Sequence, residues 1–180
     1  MGKILISGYY GFSNAGDEAM LTAIVTSLKE QDPQVELTVL SGHPEVTARL
    51  HPVKAIHRFD LWGICRAMAG TDLLRSVTSR LSLYYYLSII ALGTLLGKKV
   101  MLFAQGIGPI RGSFSRWLTR LVCQKVDLIT VRDDGSLDDL KAMGFSPEKI
   151  RVTSDAVFSL PEGRKEEGTL LLDQLGVDRS

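Results

Sequence analysis

The chain has 180 residues and a mass of 19.8 kDa, which is enough for one domain with a substantial core and too little for two full domains. Apolar residues make up 45% and charged residues 23%, which excludes disordered, collagen-like and coiled-coil chains. With 21 basic and 20 acidic residues the net charge is +1, so the broad positive field that nucleic-acid binding requires is missing and we expect no nucleic-acid partner.

The cysteine content and the first residues predict a cytoplasmic protein. Cys65 and Cys123 are the only two cysteines, too few for a disulfide framework, and we expect both to be free thiols. The apolar run that follows Met1 breaks at Gly8, so we expect no signal peptide.

Strand and helix patterns alternate along the chain. Residues 3–7 are a β-branched and leucine-rich run, typical of a strand buried on both faces. Apolar residues at helical intervals up to Leu28 predict the first helix, and Gln31-Asp32-Pro33 marks its end. Further strands are predicted at 35–40, 53–57, 99–104, 128–131 and 150–152, and further helices at 43–50, 61–68, 114–125 and 136–143. This alternation predicts an α/β fold, a doubly wound, mostly parallel Rossmann-like sheet covered on both faces.

Residues 81–97 are nearly free of charge and raise the alternative of a membrane span. The segment is at the short limit for a span, contains Ser82, Ser88 and Thr94, and runs directly into a predicted strand. We therefore predict a buried helix. A helix whose Tyr84–Tyr86 face lies on a membrane surface or a partner is a third alternative.

The polar, glycine-punctuated stretch after Pro161 predicts that the α/β domain comprises residues 1–160. Residues 161–180 are interpreted as a linker or as the start of a second, carboxyl-terminal domain. Their leucines are too few to form a core alone.

The loop between the first strand and the first helix carries the strongest functional signal. Loops at the carboxyl ends of parallel strands are where open α/β sheets bind ligands. Its glycine spacing fits neither a dinucleotide fingerprint nor a phosphate loop, so we expect no cofactor. Helix capping is the simplest explanation for its Asn and Asp, but the loop also suits the hydrogen bonding and ring stacking of a sugar. The candidate binding residues are Tyr10, Gly11, Asn14, Gly16, Asp17 and Glu18.

Three later strand ends supply further candidates. Gln105 and Gly106 follow a predicted strand, although a tight turn would explain the same residues. Arg132 could bind a carboxylate or phosphate, or form a surface ion pair with a neighbouring Asp. Asp155 could be a helix cap, a ligand group or a general base. We expect no metal site, because the three histidines have no ligand spacing with either cysteine.

Four motifs together resemble the amino-terminal half of the polysaccharide pyruvyl transferase family, and closely its CsaB type. They are GYYGFSNAGDEAML, FAQGIGPI, ITVRDDGSLDDLKAMGF and VTSDAVFSL, in the family's order. The resemblance implies a two-domain enzyme with a GT-B-like fold that transfers a pyruvyl group from phosphoenolpyruvate to a sugar as a ketal. The resemblance to the CsaB type implies that the acceptor is a lipid-linked precursor of the secondary cell-wall polymer that anchors S-layer proteins. It therefore implies a cytoplasmic protein that associates transiently with the inner face of the membrane.

Within that resemblance, Asp17 is a candidate general base. The alternatives are a non-catalytic sugar-binding module and, from architecture alone, a nucleotide-sugar glycosyltransferase domain.

Two departures from the family pattern lead us to expect poor turnover by this chain alone. The family's glycine-rich loop before the long helix is missing, since residues 67–79 read AMAGTDLLRSVTS. The residues up to Ser180 do not include the family's carboxyl-terminal domain, which the resemblance implies supplies a histidine and basic residues around phosphoenolpyruvate.

Overall fold

A computed structural model describes residues 2–75, 83–107, 110 and 112–160. Its seven strands are β1 (Lys3–Tyr10), β2 (Glu36–Ser41), β3 (Lys54–His57), β4 (Asp72–Arg75), β5 (Val100–Gln105), β6 (Leu128–Val131) and β7 (Ile150–Val152). Its six α-helices are α1 (Ala15–Gln31), α2 (Pro44–Leu50), α3 (Leu61–Met68), α4 (Leu83–Leu95), α5 (Ser113–Cys123) and α6 (Asp134–Ala142). Two short 3₁₀ helices, Pro147–Lys149 and Ala156–Ser159, flank β7.

The strands form one parallel sheet in the order β3-β2-β1-β4-β5-β6-β7. The prediction of a doubly wound α/β fold is confirmed. The chain builds outward from β1 in one direction through β3, then returns to β4 and builds in the other direction. The switch point, where sheets of this kind bind ligands, lies between β1 and β4.

Two apolar layers hold helices to the two faces of the sheet. One layer joins inward residues of β1, β4 and β5, such as Leu5, Leu73 and Leu102, to helices α3 to α6. The other joins the alternate residues, such as Ile6 and Leu74, to α1 and the second 3₁₀ helix. Because successive strand residues face opposite sides, strands β1, β2, β4 and β5 contribute to both layers. This explains why these strands lack polar–apolar alternation.

Strand β4 was not predicted from the sequence, and this is a correction to the analysis above. It pairs with β1 on one side and β5 on the other, so it lies at the centre of the sheet. Its four residues include only two apolar ones, Leu73 and Leu74, too short a pattern to recognise. Strand β4 lies within residues 67–79, the stretch in which the family's glycine-rich loop was expected to be missing, and the segment after it, 76–82, lies outside the described residues.

The apolar segment at 81–97 contains α4, as predicted for the described residues from 83 onward. Tyr86, Leu87, Ile89, Ile90 and Gly93 are buried against the sheet, whereas Tyr84 and Leu95 are exposed. The helix has 13 residues. Over the ranges that the structure describes, no helix has the length and apolar character needed to cross a membrane.

The position of β4 generates a stability prediction. Leu73 is 2% exposed and contacts the α4 layer, so Leu73→Ala should lower the free energy of unfolding by about 2–5 kcal/mol. The matched control Leu50→Ala, at a residue 61% exposed, should cost under about 0.5 kcal/mol. Urea denaturation measures both. Equal small losses would contradict a central position for β4.

Candidate functional site at the carboxyl edge of the sheet

Because every strand pairing is parallel, the loops after β1, β5 and β6 lie at the same edge of the sheet. This is the arrangement that the sequence predicted for residues 8–18 and Gln105. The site residues separate into a group after β1 and a group after β5 and β6, with β4 between the two.

Hydrogen bonds donated by main-chain amides stabilise the conformation of the loop after β1. Gly11 has a φ of 76°, a left-handed conformation that favours glycine. A Cβ at Gly11 would collide with the Ser41 hydroxyl and the His43 amide. The Gly11 amide donates to Glu18 Oε1 at 2.8 Å, and the Gly42 amide donates to the Tyr10 carbonyl at 2.9 Å. The loops after β1 and β2 are therefore packed tightly together.

Asn14 and Asp17 form a linked pair at the start of α1. Asn14 is the N-cap, and its Oδ1 accepts from the Gly16 amide at 3.2 Å. Its Nδ2 donates to Asp17 Oδ2 at 2.5 Å. Asn14 and Gly16 are exposed, whereas Asp17 is only 4% exposed. The Asp17 carboxylate thus fixes the orientation of the Asn14 amide, and Asn14 is the member of the pair that faces solvent.

Glu18 connects the loop to a histidine that sequence reasoning missed. Its second oxygen, Oε2, lies 3.4 Å from His51 Nε2. His51 is 8% exposed and follows α2. The contact between residues 33 positions apart comes from the packing of α2 beside α1, which no local sequence pattern reveals. Glu18 is thus a positioning residue in this structure.

Tyr10 lies in the core rather than on the open side of the loop. It is 1% exposed and packs with Ile6, Ile24 and other members of the α1 layer. Its neighbour Tyr9 stacks instead on Phe12, with ring centroids 4.3 Å apart. Of the rings of this loop, Phe12 is the exposed one, at 37%. A direct contact of Tyr10 with a sugar stays a prediction that its position does not favour.

The second group surrounds Gly106. A Cβ at Gly106 would collide with the guanidinium of Arg132, so the absence of a side chain at Gly106 leaves room for the Arg132 side chain. Arg132 Nη1 donates to Asp155 Oδ2 at 3.0 Å, and Asp155 Oδ1 accepts from the Val157 amide at 3.1 Å. Arg132 Nε lies 3.8 Å from Asp133. Gly106, Arg132 and Asp155, which are far apart in sequence, thus meet at one point of the edge.

The backbone before Gly106 is shaped by a register shift at the end of β5. Ala104 has a φ of 47°, and the pairing with β6 shifts between Leu102 and Gln105. Gln105 is 4% exposed, its Nε2 donates to the Phe103 carbonyl at 2.8 Å, and its carbonyl accepts from the Arg132 amide. Gln105 therefore supports the backbone of the edge.

Asp133 and Ser136 attach this loop to α6. Asp133 is the N-cap of α6 and accepts from the Ser136 amide at 2.6 Å. That hydrogen bond, with the Ser136 hydroxyl and Arg132 adding to it, lowers the pKa of Asp133 below its usual value near 3.8. The Ser136 hydroxyl in turn accepts from the Ile107 amide at 2.9 Å. The sequence singled out Arg132 but not Ser136.

The described ranges contain no cluster of three histidine, cysteine or acidic side chains that could hold a metal ion. The side chains described at the edge include hydrogen-bonding groups and arginine, which suit a polar or anionic organic ligand.

A polysaccharide pyruvyl transferase family model matches residues 14–174, which include Asn14, Asp17 and Glu18 and the candidate residues after β5 and β6. The chain belongs to the polysaccharide pyruvyl transferase family. No curated protein matches the chain.

Solved structures show which larger fold the domain resembles. Anabaena HepE in complex with UDP and glucose superimposes with a TM-score of 0.63 at 11% identity, covering 98% of this chain and 51% of that one. A Rickettsia africae glycosyltransferase gives 0.61 at 12%, covering 99% and 51%, and S. aureus MnaA bound to UDP gives 0.57 at 12%, covering 98% and 52%. These likenesses show the fold, that of one half of a GT-B-like protein. The chain spans about half the length of each.

The cap at Asp133 generates a prediction about pH. Because its pKa is lowered in the folded state, Asp133 stabilises the fold above its unfolded pKa, and this contribution is lost as pH falls through the folded value. Asp133→Ala should cost about 0.5–2 kcal/mol at pH 7, and the cost should shrink below about pH 4. Urea denaturation at several pH values measures it.

Asp138→Ala is the control, because Asp138 is exposed and forms only an ion pair with Lys141. If Asp133→Ala were no more costly than Asp138→Ala at pH 7, the capping role would be wrong.

Proposed function

We propose that this chain is the amino-terminal part of a CsaB-type pyruvyl transferase, which transfers the pyruvyl group of phosphoenolpyruvate to a lipid-linked sugar of a cell-wall polymer precursor. The observation that carries the proposal is the family match over residues 14–174. The polar groups at the carboxyl edge, of a kind suited to sugar hydroxyls and anions, support it. Residues 1–160 would form the acceptor side of the cleft, and a second domain that follows residues 161–180 would supply the rest.

The reaction needs an acid, a base and a place for two sugar hydroxyls. A proton is added to the methylene carbon of phosphoenolpyruvate, and one sugar hydroxyl attacks the adjacent carbon and loses its proton. The second hydroxyl then displaces phosphate from that carbon, leaving a ketal with a new methyl group. The two hydroxyl protons balance the one taken by the methylene and the one carried by the phosphate. Groups that hold the two hydroxyls close together supply most of the required proximity.

Asn14 is the residue placed best to hold an acceptor hydroxyl. It is exposed at the switch-point edge, and its amide is oriented by Asp17. Asp17 remains the proposed base. Because its carboxylate is buried behind the Asn14 amide, this role requires that the acceptor displace that amide from Asp17 on binding.

A variant pair separates binding from catalysis. In a version with both domains, Asn14→Ala should reduce kcat/KM for the acceptor about three- to tenfold through a lost hydrogen bond, with little change in KM for phosphoenolpyruvate. Asp17→Asn should depress kcat about 10²–10⁴-fold if Asp17 is the base. Phosphate release measures both. Unchanged acceptor kinetics in a destabilised Asn14→Ala would leave Asn14 as a cap only, and unchanged turnover in Asp17→Asn would exclude the base.

The same assay tests the function itself. Phosphate release that requires both phosphoenolpyruvate and a sugar acceptor is the expected result. Acceptor binding without turnover would favour the sugar-binding module instead. UDP release from a UDP-sugar would favour a glycosyltransferase, the second candidate, which gains support only from the fold shared with UDP-bound proteins.

We also propose that the edge of the domain contacts a membrane surface. Helices α3, α4 and α5 follow strand ends, so their first turns lie at the carboxyl edge. Large apolar side chains are exposed there: Phe59 at 64%, Trp62 at 87%, Tyr84 at 56%, Phe114 at 62% and Trp117 at 55%.

The charge on α5 is complementary to an anionic lipid surface. Its sequence, SFSRWLTRLVC, has no acidic residue, and Arg116 lies beside the exposed rings of its first turns, whereas Arg120 contacts Gly144. Exposed aromatic rings next to basic residues are typical of helices that lie in a membrane interface. A lipid-linked acceptor would be reached from such a surface.

Vesicle binding tests the surface contact. Phe114→Ser combined with Trp117→Ser should weaken binding to phosphatidylglycerol-containing vesicles about tenfold in a sedimentation assay. The reason is that two rings which would be buried in the membrane interface are lost. Leu50→Ser, an exposed leucine on α2, is the matched control and should bind normally. Equal binding by all three proteins, or none by the unmodified chain, would contradict the proposal.

A further inference from the structure

Arg58 is a buried cation beside the candidate site. It directly follows β3, and its amide donates to the Ser41 carbonyl at the end of β2 at 2.9 Å. Its side chain reaches the exposed ring of the loop after β1, because the guanidinium carbon lies 5.4 Å from the centroid of Phe12. Arg58 therefore belongs to the same edge as Gly11 and Asn14, although nothing in the sequence distinguished it.

The buried guanidinium interacts with the Tyr85 side chain but with no acidic side chain in the described parts of the chain. Arg58 is 5% exposed, and its Nε is buried with no hydrogen-bond partner in the described parts of the chain. No carboxylate within those ranges forms an ion pair with it. The nearest acid in sequence, Asp60, instead caps α3 by accepting from the Gly63 amide at 2.9 Å. Burying a charge without an opposite charge destabilises a fold.

Aromatic rings offset part of this cost. Besides Phe12, the rings of Phe59, Tyr85 and Tyr86 have centroids 5.3, 4.4 and 5.6 Å from the guanidinium carbon. Such rings attract a cation through their faces, yet they supply no anionic acceptor.

Tyr85 cannot act as the missing anion. Its hydroxyl donates to the Arg58 carbonyl at 2.7 Å. Burial raises the pKa of Tyr85 to about 12, against the opposing effect of nearby Arg58. The phenol therefore stays neutral at physiological pH, and the positive charge of Arg58 has no counter-charge among its neighbours.

We propose that Arg58 and its ring cluster bind a phosphate group of a substrate at this edge. An arginine presents Nε and Nη donors in a planar fork that matches two oxygens of a phosphate, and a bound phosphate would satisfy the unpartnered Nε. The choice of phosphate rests on the proposed function, in which both substrates carry one. The phosphate comes either from phosphoenolpyruvate or from the diphosphate that links the acceptor to its lipid.

Calorimetric titration of the whole chain at low salt tests the site with four probes. Phosphoenolpyruvate represents the donor, geranyl diphosphate the lipid-linked diphosphate, inorganic phosphate the bare group, and pyruvate a carboxylate without phosphate. The tighter of the first two identifies the source. Arg58→Gln should weaken that binding about 10- to 100-fold, as expected for lost hydrogen bonds to a charged group. Arg49→Gln, at an exposed arginine of α2, is the control and should bind like the unmodified chain.

Arg58→Lys keeps the charge but loses the planar fork of donors. Its affinity should therefore fall between that of the unmodified chain and that of Arg58→Gln. This variant decides the matter if circular dichroism shows that Arg58→Gln fails to fold. The proposal is overturned if no phosphate compound binds at millimolar concentration, if pyruvate binds as tightly as the tighter of phosphoenolpyruvate and geranyl diphosphate, or if the Arg58 variants bind like the control.

This outcome is separate from that of the pyruvyl transfer assay. Loss of phosphate binding in the Arg58 variants would support the site even if no ketal formed. Transfer that proceeds normally without phosphate binding at Arg58 would overturn the site and leave the proposed function intact.

Discussion

The hydrogen bond from the Gly11 amide to Glu18 determines the shape of the candidate site. It closes the loop after β1 onto the first turn of α1, and Gly11 reaches it only with a φ of 76° and no side chain. The same closure places Phe12 over Gly42, where a Cβ would collide with the ring. From that position Phe12 also contacts Arg58. This hydrogen bond, from a main-chain amide to a side-chain carboxylate, therefore helps to set the relative positions of the loops after β1, β2 and β3.

This arrangement gives the edge two sides of different character. On the β1 side the acidic groups are already occupied, since Asp17 holds Asn14 and Glu18 holds Gly11. What remains for a ligand there is the exposed Asn14 amide and the buried charge of Arg58. On the β5 and β6 side, Arg132 forms an ion pair with Asp155, so an anionic ligand bound there would compete with that carboxylate. In the proposals above, the Asn14 amide binds a hydroxyl and Arg58 binds a phosphate.

The fold could be predicted from the sequence because long apolar runs and glycine-rich turns repeat along the chain. Strand β4 could not, since only two of its four residues, Leu73 and Leu74, are apolar and buried, and two residues show no periodicity of their own. The loops of the site were found because they follow strands that could be recognised. The roles within them were harder to predict: Glu18 is a positioning residue because His51 and Gly11 pack against it. Arg58 went unnoticed because a single arginine after a strand resembles any surface arginine until its burial is known.

Hydrogen exchange at the Gly11 amide tests most directly whether the closed loop organises the edge. Nuclear magnetic resonance should show that this amide is protected from exchange in the unmodified chain, because it donates to a carboxylate and Gly11 is buried. Glu18→Ala should abolish that protection and leave the amide of Ile6, within β1, protected as before. A Gly11 amide that exchanges freely in the unmodified chain, or that stays protected without Glu18, would contradict the account.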